Sequence, residues 1–150
     1  MTDGKVLQAI SIDLVEARRW LPVTVTLVGI LRKTLEAHPN EQGANGVTLN
    51  YRDPDYSAEQ GGYHPVEIRL EQSGSSSGWR LVYVTDFAFF GRVYPELEKE
   101  LDFNLSNGTG YQAYMGEYPL NHFRGLYRVW EANFRYYLRL GVYQLTVTWD

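Results

Sequence analysis

The chain contains no cysteine, which excludes disulfide bonds, thiol catalysis and cysteine metal sites. No apolar run approaches the length needed to cross a bilayer, and the N-terminus lacks the pattern of a secretion signal. The formal net charge of −4 provides no overall field that would attract nucleic acid. Together these absences favour a cytoplasmic protein with no membrane association.

The composition is that of an ordinary globular chain, with 44% hydrophobic and 21% charged residues among 150. This length predicts a single domain spanning residues 1–150. Aromatic residues reach 15% and include 12 tyrosines and 4 tryptophans. Such side chains fill cores, but several exposed together would mark an interaction surface.

Apolar and polar residues alternate in four stretches, which is typical of strands with one buried face. These stretches are residues 47–51, 66–70, 79–90 and 143–149. Apolar residues at helical spacing predict one helix between Pro22 and His38 and a second between Pro119 and Gly141. The expected fold class is therefore α+β, a twisted antiparallel sheet with helices packed on one side.

Two segments have weaker patterns. Residues 5–20 fit both helical and strand spacing, and we favour a strand followed by a turn. Residues 94–103 carry four acidic side chains among leucines and a phenylalanine, and we expect a short helix or turn at the surface.

Residues 66–72 and 79–90 should form a hairpin across the Gly/Ser-rich loop at 73–78. Placing Gln72 opposite Trp79 makes the two apolar faces coincide and brings opposite charges together. The other pairs in this register are Ile68 with Tyr83, Leu70 with Leu81, and Glu71 with Arg80. A slip of one residue would lose both features.

The densest group of side chains that could bind a metal or act as an acid or base lies around residues 52–67. It comprises Asp53, Asp55, Glu59, His64 and Glu67, with Asp86 nearby across the hairpin. Such a set could bind a metal or perform acid–base hydrolysis. The predicted register, however, places His64 on one face of the sheet and Glu67 and Asp86 on the other. We therefore predict no metal, no cofactor and no catalytic site here. For Asp86 we expect either a buried ion pair, with Arg69 on the same face, or a cap on the loop after Phe90.

The second predicted helix combines an aromatic face with a stripe of arginines. The stripe consists of Arg124, Arg128, Arg135 and Arg139. The core face consists of Phe123, Tyr127, Trp130, Phe134 and Leu138, and the far side is largely apolar as well. Four aligned arginines could bind phosphates or acidic side chains, or form an ordinary solvated edge.

Several segments resemble the bacterial family catalogued as domain of unknown function 2787. They are VTLNYRDPDYSAEQGGYHPVEIRLE (47–71), YVTDFAFFG (83–91), YPELEKELDF (94–103) and WEANFRYYLRLGVYQLTV (130–147). The resemblance implies an origin in genomic islands and a fold similar to the acidic mitochondrial matrix protein that binds complement heads. It also implies ring-like oligomers that bind partners, and it supplies no catalytic residues.

Three functions remain open from the sequence. The first is a non-enzymatic binding or adaptor protein that acts as a homo-oligomer, with a protein partner, through an aromatic and arginine-bearing surface. The second is a small metal-dependent or acid–base hydrolase that uses the 52–67 loop and Asp86. The third, less favoured, is nucleic-acid binding through the stripe from Arg124 to Arg139.

Overall fold

The computed structural model describes residues 10–74 and 78–150. Its helices are α1 (Leu14–Arg18), α2 (Val25–Ala37) and α3 (Arg124–Leu140), with a 3-10 turn at Leu120–Phe123 before α3. Its strands are β1 (Ser11–Ile12), β2 (Gly46–Arg52), β3 (Val66–Gln72), β4 (Gly78–Phe90), β5 (Glu96–Asn104), β6 (Thr109–Gln112), β7 (Gly116–Pro119) and β8 (Gln144–Trp149). No helix in these ranges has the length and apolar character to cross a membrane.

All the strands belong to one open sheet in the order β7-β6-β5-β4-β3-β2-β8, and β1 pairs in parallel with the long strand β4. The pairs along the main path are antiparallel. One face of the sheet joins α2 and α3 in a single hydrophobic cluster. The α+β class with an antiparallel sheet is therefore confirmed.

The position of its N-terminal cap, Thr24, determines where helix α2 begins. The Thr24 side chain accepts a hydrogen bond from the Leu27 backbone nitrogen at 3.1 Å, so the helix begins at Val25 rather than at Pro22. It ends at Ala37, before His38 and Pro39, as the sequence predicts.

Helix α3 follows the prediction closely. Pro119 precedes the 3-10 turn, and α3 ends at Leu140. Gly141 caps the helix, and its φ of 71° is left-handed and suits glycine. Tyr127, Trp130 and Phe134 are buried on its inner face, where the aromatic spacing placed them.

Two segments differ from expectation. Residues 96–104 form strand β5 and not a short helix, because Leu101 and Phe103 alternate with polar residues and pair with the long strand β4. Around residues 5–20, β1 is followed by helix α1 and not by a simple turn. Asp13 caps α1 by accepting from the Glu16 nitrogen at 2.9 Å. The part of that prediction before residue 10 lies outside the described residues.

The predicted register of the β3–β4 hairpin is confirmed near the tip of the hairpin and is wrong farther from it. Gln72 with Trp79, Glu71 with Arg80, and Leu70 with Leu81 are confirmed. A bulge follows, since Arg69 pairs with Tyr83 and leaves Val82 as an extra residue of β4. Ile68 consequently pairs with Val84 and not with Tyr83. Beyond the bulge every β4 side chain lies on the opposite face from the predicted one.

Gly110 in β6 packs directly beneath the Phe123 ring, with Leu120 beside it. A methyl group at this position would overlap the ring, and the buried 3-10 turn would have to shift. We expect Gly110→Ala to lower the free energy of unfolding by about 1–3 kcal/mol in urea denaturation. Gly29→Ala in α2, which meets open space, is the matched control and should not destabilise the protein. Equal stability of the two variants would contradict this packing.

Candidate functional site

Two bulges bring three ionisable side chains to one place on the helix-covered face of the sheet. The bulge at Val82 turns Asp86 to that face, opposite Val66. A second bulge lies between β4 and β5, where Asp86 pairs with Leu101 and Phe87 pairs with Lys99. Glu100 is the extra residue of this bulge, so its side chain can turn toward Asp86.

We call His64, Asp86 and Glu100 the His64 cluster. The imidazole Nδ1 of His64 lies 2.8 Å from Asp86 Oδ1 and 2.8 Å from Glu100 Oε2. Asp86 is buried, and its second oxygen, Oδ2, accepts a hydrogen bond from Trp130 Nε1 at 2.9 Å. The loop before β3 is tied to β4 because Phe87 donates its backbone N–H to the Pro65 carbonyl at 2.9 Å.

The charges of the cluster favour the imidazolium form of His64. The hydrogen bond to Asp86 raises the His64 pKa above its ordinary value, and the negative charges of Asp86 and Glu100 act in the same direction. Partial burial opposes this shift without cancelling it. The His64 cluster is therefore a strong site for positive charge.

A cavity of about 290 Å³ opens beside the cluster, and all three of its residues line it. The remaining wall is mostly aromatic and includes Tyr63, Trp130, Phe134, Tyr137 and Tyr143. The rings of Tyr63 and Tyr137 meet edge to face at 4.6 Å, which holds this wall together. An aromatic cavity with acids at one end can accept a cation or a ligand bound to one.

A wider groove of about 460 Å³ lies over β5 and its neighbours, lined by residues such as Phe90, Glu98 and Tyr114. It is bordered by exposed side chains and does not bring a histidine together with carboxylates. The smaller cavity therefore has the more specific chemistry.

The structure corrects the prediction that His64 and Asp86 lie on opposite faces, since the Val82 bulge brings them into contact. Glu67 stays on the other face, where it accepts a hydrogen bond from Tyr83. The expected pair between Arg69 and Asp86 is also wrong. Arg69 lies on the polar face and pairs with Asp150 at 2.8 Å and with Glu71 at 3.3 Å.

Among the remaining acids of the 52–67 loop, Asp53 holds the loop backbone in place. The Asp53 side chain accepts from the backbone nitrogens of Asp55 at 2.9 Å and of Tyr63 at 3.0 Å. Asp55 and Glu59 are exposed. The loop thus positions His64 but adds no other acid to the His64 cluster. Glu100, which sequence analysis did not single out, completes it.

The arginine stripe divides into two kinds of residue. Arg124 donates to the Trp20 carbonyl at 3.2 Å, and Arg135 donates to Glu131 at 3.0 Å, so both are engaged within the chain. Arg128 and Arg139 are exposed, and the Arg139 guanidinium lies 5.7 Å from the Tyr136 ring centre. Two of the four guanidinium groups thus also make contacts within the chain.

An exposed apolar line runs along α3 beside these arginines, and we call it the α3 outer face. It consists of Gly125, Val129, Ala132, Tyr136 and Leu140. Val129, Tyr136 and Leu140 are 59%, 51% and 50% exposed. The helix thus carries apolar residues on its outer side as well as on its core side.

Comparisons with known proteins identify relatives but no activity. The family model described as "Protein of unknown function (DUF2787)" matches residues 25–148. A solved hypothetical protein from the VSP-II pathogenicity island of Vibrio cholerae is 39% identical, with 85% of this chain and 95% of that chain covered and a TM-score of 0.75. No curated protein matches.

A second solved protein, from pathogenicity island VPI-2 of Vibrio cholerae O1 biovar eltor, is 40% identical. The match covers 86% of this chain and 96% of that chain, with a TM-score of 0.76. That protein is described as sharing structural homology with the human P32 protein.

Proposed function

This chain belongs to the family of proteins of unknown function DUF2787, and on that premise we propose that it is a non-enzymatic binding protein that acts as a homo-oligomer. The observation that carries the proposal is the exposed α3 outer face. Three large apolar side chains there stay in contact with water in the isolated chain. Burying them against a second copy would remove that apolar surface from water.

The order of small and large residues on this face suits a copy of itself. In a two-fold arrangement with antiparallel α3 helices centred between Ala132 and Asn133, Gly125 lies opposite the copy's Leu140. Val129 then lies opposite the copy's Tyr136. Small residues thus meet large ones, and a small residue sits where the helices cross most closely. Such self-complementarity is what a symmetric interface requires.

The exposed arginines suit the rim of the same surface. Arg128 and Arg139 border the α3 outer face, and Arg139 lies over the Tyr136 ring. Tyrosine and arginine are the residue types enriched in binding interfaces. We assign these arginines to contacts with an acidic protein partner, beside the contact between copies.

Sedimentation velocity tests the proposal directly. We expect the wild-type protein to sediment as an oligomer, and the double variant Val129→Asp with Tyr136→Asp to sediment as a monomer. Buried carboxylates without partners would be too costly for the interface. Val15→Asp, at an α1 position that is 84% exposed, is the matched control and should leave the oligomer intact. A monomeric wild type at all concentrations would overturn the proposal.

The other two functions have different support. Nucleic-acid binding is weakened as a candidate because Arg124 and Arg135 are engaged within the chain. Metal-dependent or acid–base hydrolysis keeps a specific observation in its favour, namely the contact of His64 with Asp86 and Glu100. Hydrolysis at this place would require a bound metal or a reactive substrate in the aromatic cavity. The cytoplasmic location expected from the sequence stays a prediction.

A further inference from the structure

We propose that His64, Asp86 and Glu100 bind a first-row divalent cation such as Zn²⁺ or Mn²⁺ at the end of the aromatic cavity. The inference does not depend on the homo-oligomer, because the three side chains belong to one copy of the chain and lie away from the α3 outer face. The proposal assigns divalent cations as the ligands of the His64 cluster, which takes no part in the contacts proposed for the α3 outer face.

The geometry of the three side chains fits a single ion. One ligand atom from each, namely a histidine nitrogen and two carboxylate oxygens, can be chosen so that all lie within 4.8 Å of one another. Two metal–ligand bonds of about 2.0–2.2 Å place their ligand atoms at most about 4.4 Å apart, so the three groups need to close only slightly around an ion. The ion would replace a proton shared among the same atoms, so little movement of the chain is needed.

Both carboxylates of the cluster converge on a single imidazole nitrogen. Nδ1 of His64 is 2.8 Å from an oxygen of Asp86 and 2.8 Å from an oxygen of Glu100. That nitrogen carries at most one proton, which both oxygens must share. A divalent ion satisfies all three groups at once and neutralises both negative charges.

Neighbouring buried side chains hold the Asp86 ligand in place, as is usual for metal ligands. Trp130 donates from its indole to the second oxygen of Asp86 at 2.9 Å and is itself buried. Phe134 stacks on Trp130 at 5.1 Å, which fixes the indole. A hydrogen bond from outside the ligand set orients a carboxylate and raises the affinity for the metal.

The choice of ion follows from the ligand types and from the open side of the site. One imidazole with two carboxylates suits Zn²⁺, Mn²⁺ or Fe²⁺, whereas Ca²⁺ and Mg²⁺ prefer oxygen ligands alone. Three protein ligands leave at least one coordination position free. All three ligand residues line the aromatic cavity of about 290 Å³, which has room for water or a small ligand beside the ion.

Isothermal titration calorimetry of the chelator-treated, tag-free protein with Zn²⁺ and with Mn²⁺ tests the inference. We expect one ion per chain for at least one of these metals, and a higher thermal midpoint when it is bound. His64→Gln and Glu100→Gln should each weaken binding at least about tenfold, and Trp130→Phe should weaken it about 10–100-fold. The matched control Glu98→Gln, on the same strand but outside the cluster, should bind like the wild type.

Far-UV circular dichroism checks that the variants are folded, and Glu100 is a safe position because its side chain is 39% exposed. Loss of the one-to-one site in folded Glu100→Gln supports the assignment. Failure of the wild type to bind either ion overturns it. Unchanged affinity in both His64→Gln and Glu100→Gln also overturns it, because the ion would then lie elsewhere. The sedimentation of these variants should equal that of the wild type. A failure of the metal proposal can therefore be distinguished from a failure of the homo-oligomer proposal.

Discussion

Replacing Glu131 with alanine is expected to lower the free energy of unfolding by about 3–5 kcal/mol, the range for breaking a buried ionic network from one side. Glu131 lies on α3 and is 1% exposed. Its side chain accepts from Arg135 Nε at 3.0 Å and from the Tyr127 hydroxyl at 2.9 Å. Removing the carboxylate would leave a buried hydroxyl and a guanidinium without their acceptor.

The same carboxylate joins the two long helices. It accepts from the Thr24 backbone nitrogen at 3.0 Å and from the Thr24 hydroxyl at 2.7 Å. Thr24 is the residue that caps the start of α2. The variant would therefore loosen the contact between α2 and α3 as well as lose its local hydrogen bonds. This double role is why we expect a larger effect than at other single positions.

Chemical denaturation and thermal unfolding would measure the loss, and a fall in thermal midpoint of about 6–20 °C corresponds to it in a chain of this size. Glu131→Gln keeps the shape and one acceptor oxygen, so it should lose less. Glu36→Ala, at an exposed position of α2, is the control for removing a helical glutamate and should change stability by less than about 0.5 kcal/mol. A loss below about 1 kcal/mol in Glu131→Ala would contradict this role.

The sequence predicts those parts of the fold that repeat with a regular period. Apolar and polar residues alternate regularly in strands β2, β3 and β8, and the aromatic residues of α3 recur at helical spacing. These two patterns are enough to predict the class of the fold and which faces are buried. The end of α3 also follows, because Gly141 can adopt the left-handed conformation that closes a helix. Pro39 limits α2 for a similarly local reason.

The candidate site could not be predicted because it depends on departures from that regularity. A bulge adds one residue and reverses which face each later side chain occupies, and no local pattern marks Val82 as the extra residue. The assignment of residues 94–103 to a short helix or turn then left Glu100 out of the predicted site, because Glu100 reaches the cluster through the second bulge. The alternation of Leu101 and Phe103 with polar residues was the available signal for a strand there.

We expect Asp86→Ala in chelator-treated protein to lower the free energy of unfolding by about 2–3 kcal/mol, the cost of leaving a buried donor unpaired together with the loss of a charge-assisted hydrogen bond. The donor is the Trp130 indole N–H, which bonds Asp86 Oδ2 at 2.9 Å. The lost charge-assisted bond is that with His64. Urea denaturation measures the effect. Glu98→Ala, which removes an exposed carboxylate from the neighbouring strand β5, is the comparison and should change stability by less than about 0.5 kcal/mol.

The pH dependence of the isosteric variant Asp86→Asn separates the charge of Asp86 from its hydrogen bond to Trp130. The His64 pKa is raised above 6.5 in the folded chain, chiefly by the hydrogen bond to Asp86. The pair therefore stabilises the fold below pH 6.5, and this contribution is lost as the pH rises through the higher folded pKa. Asparagine keeps an oxygen for Trp130 but removes the charge. We expect wild type to be more stable than Asp86→Asn at pH 5.5, and the difference to shrink at pH 8.5. An equal difference at both pH values, measured with chelator present, would show that the charge of Asp86 does not stabilise the His64 imidazolium.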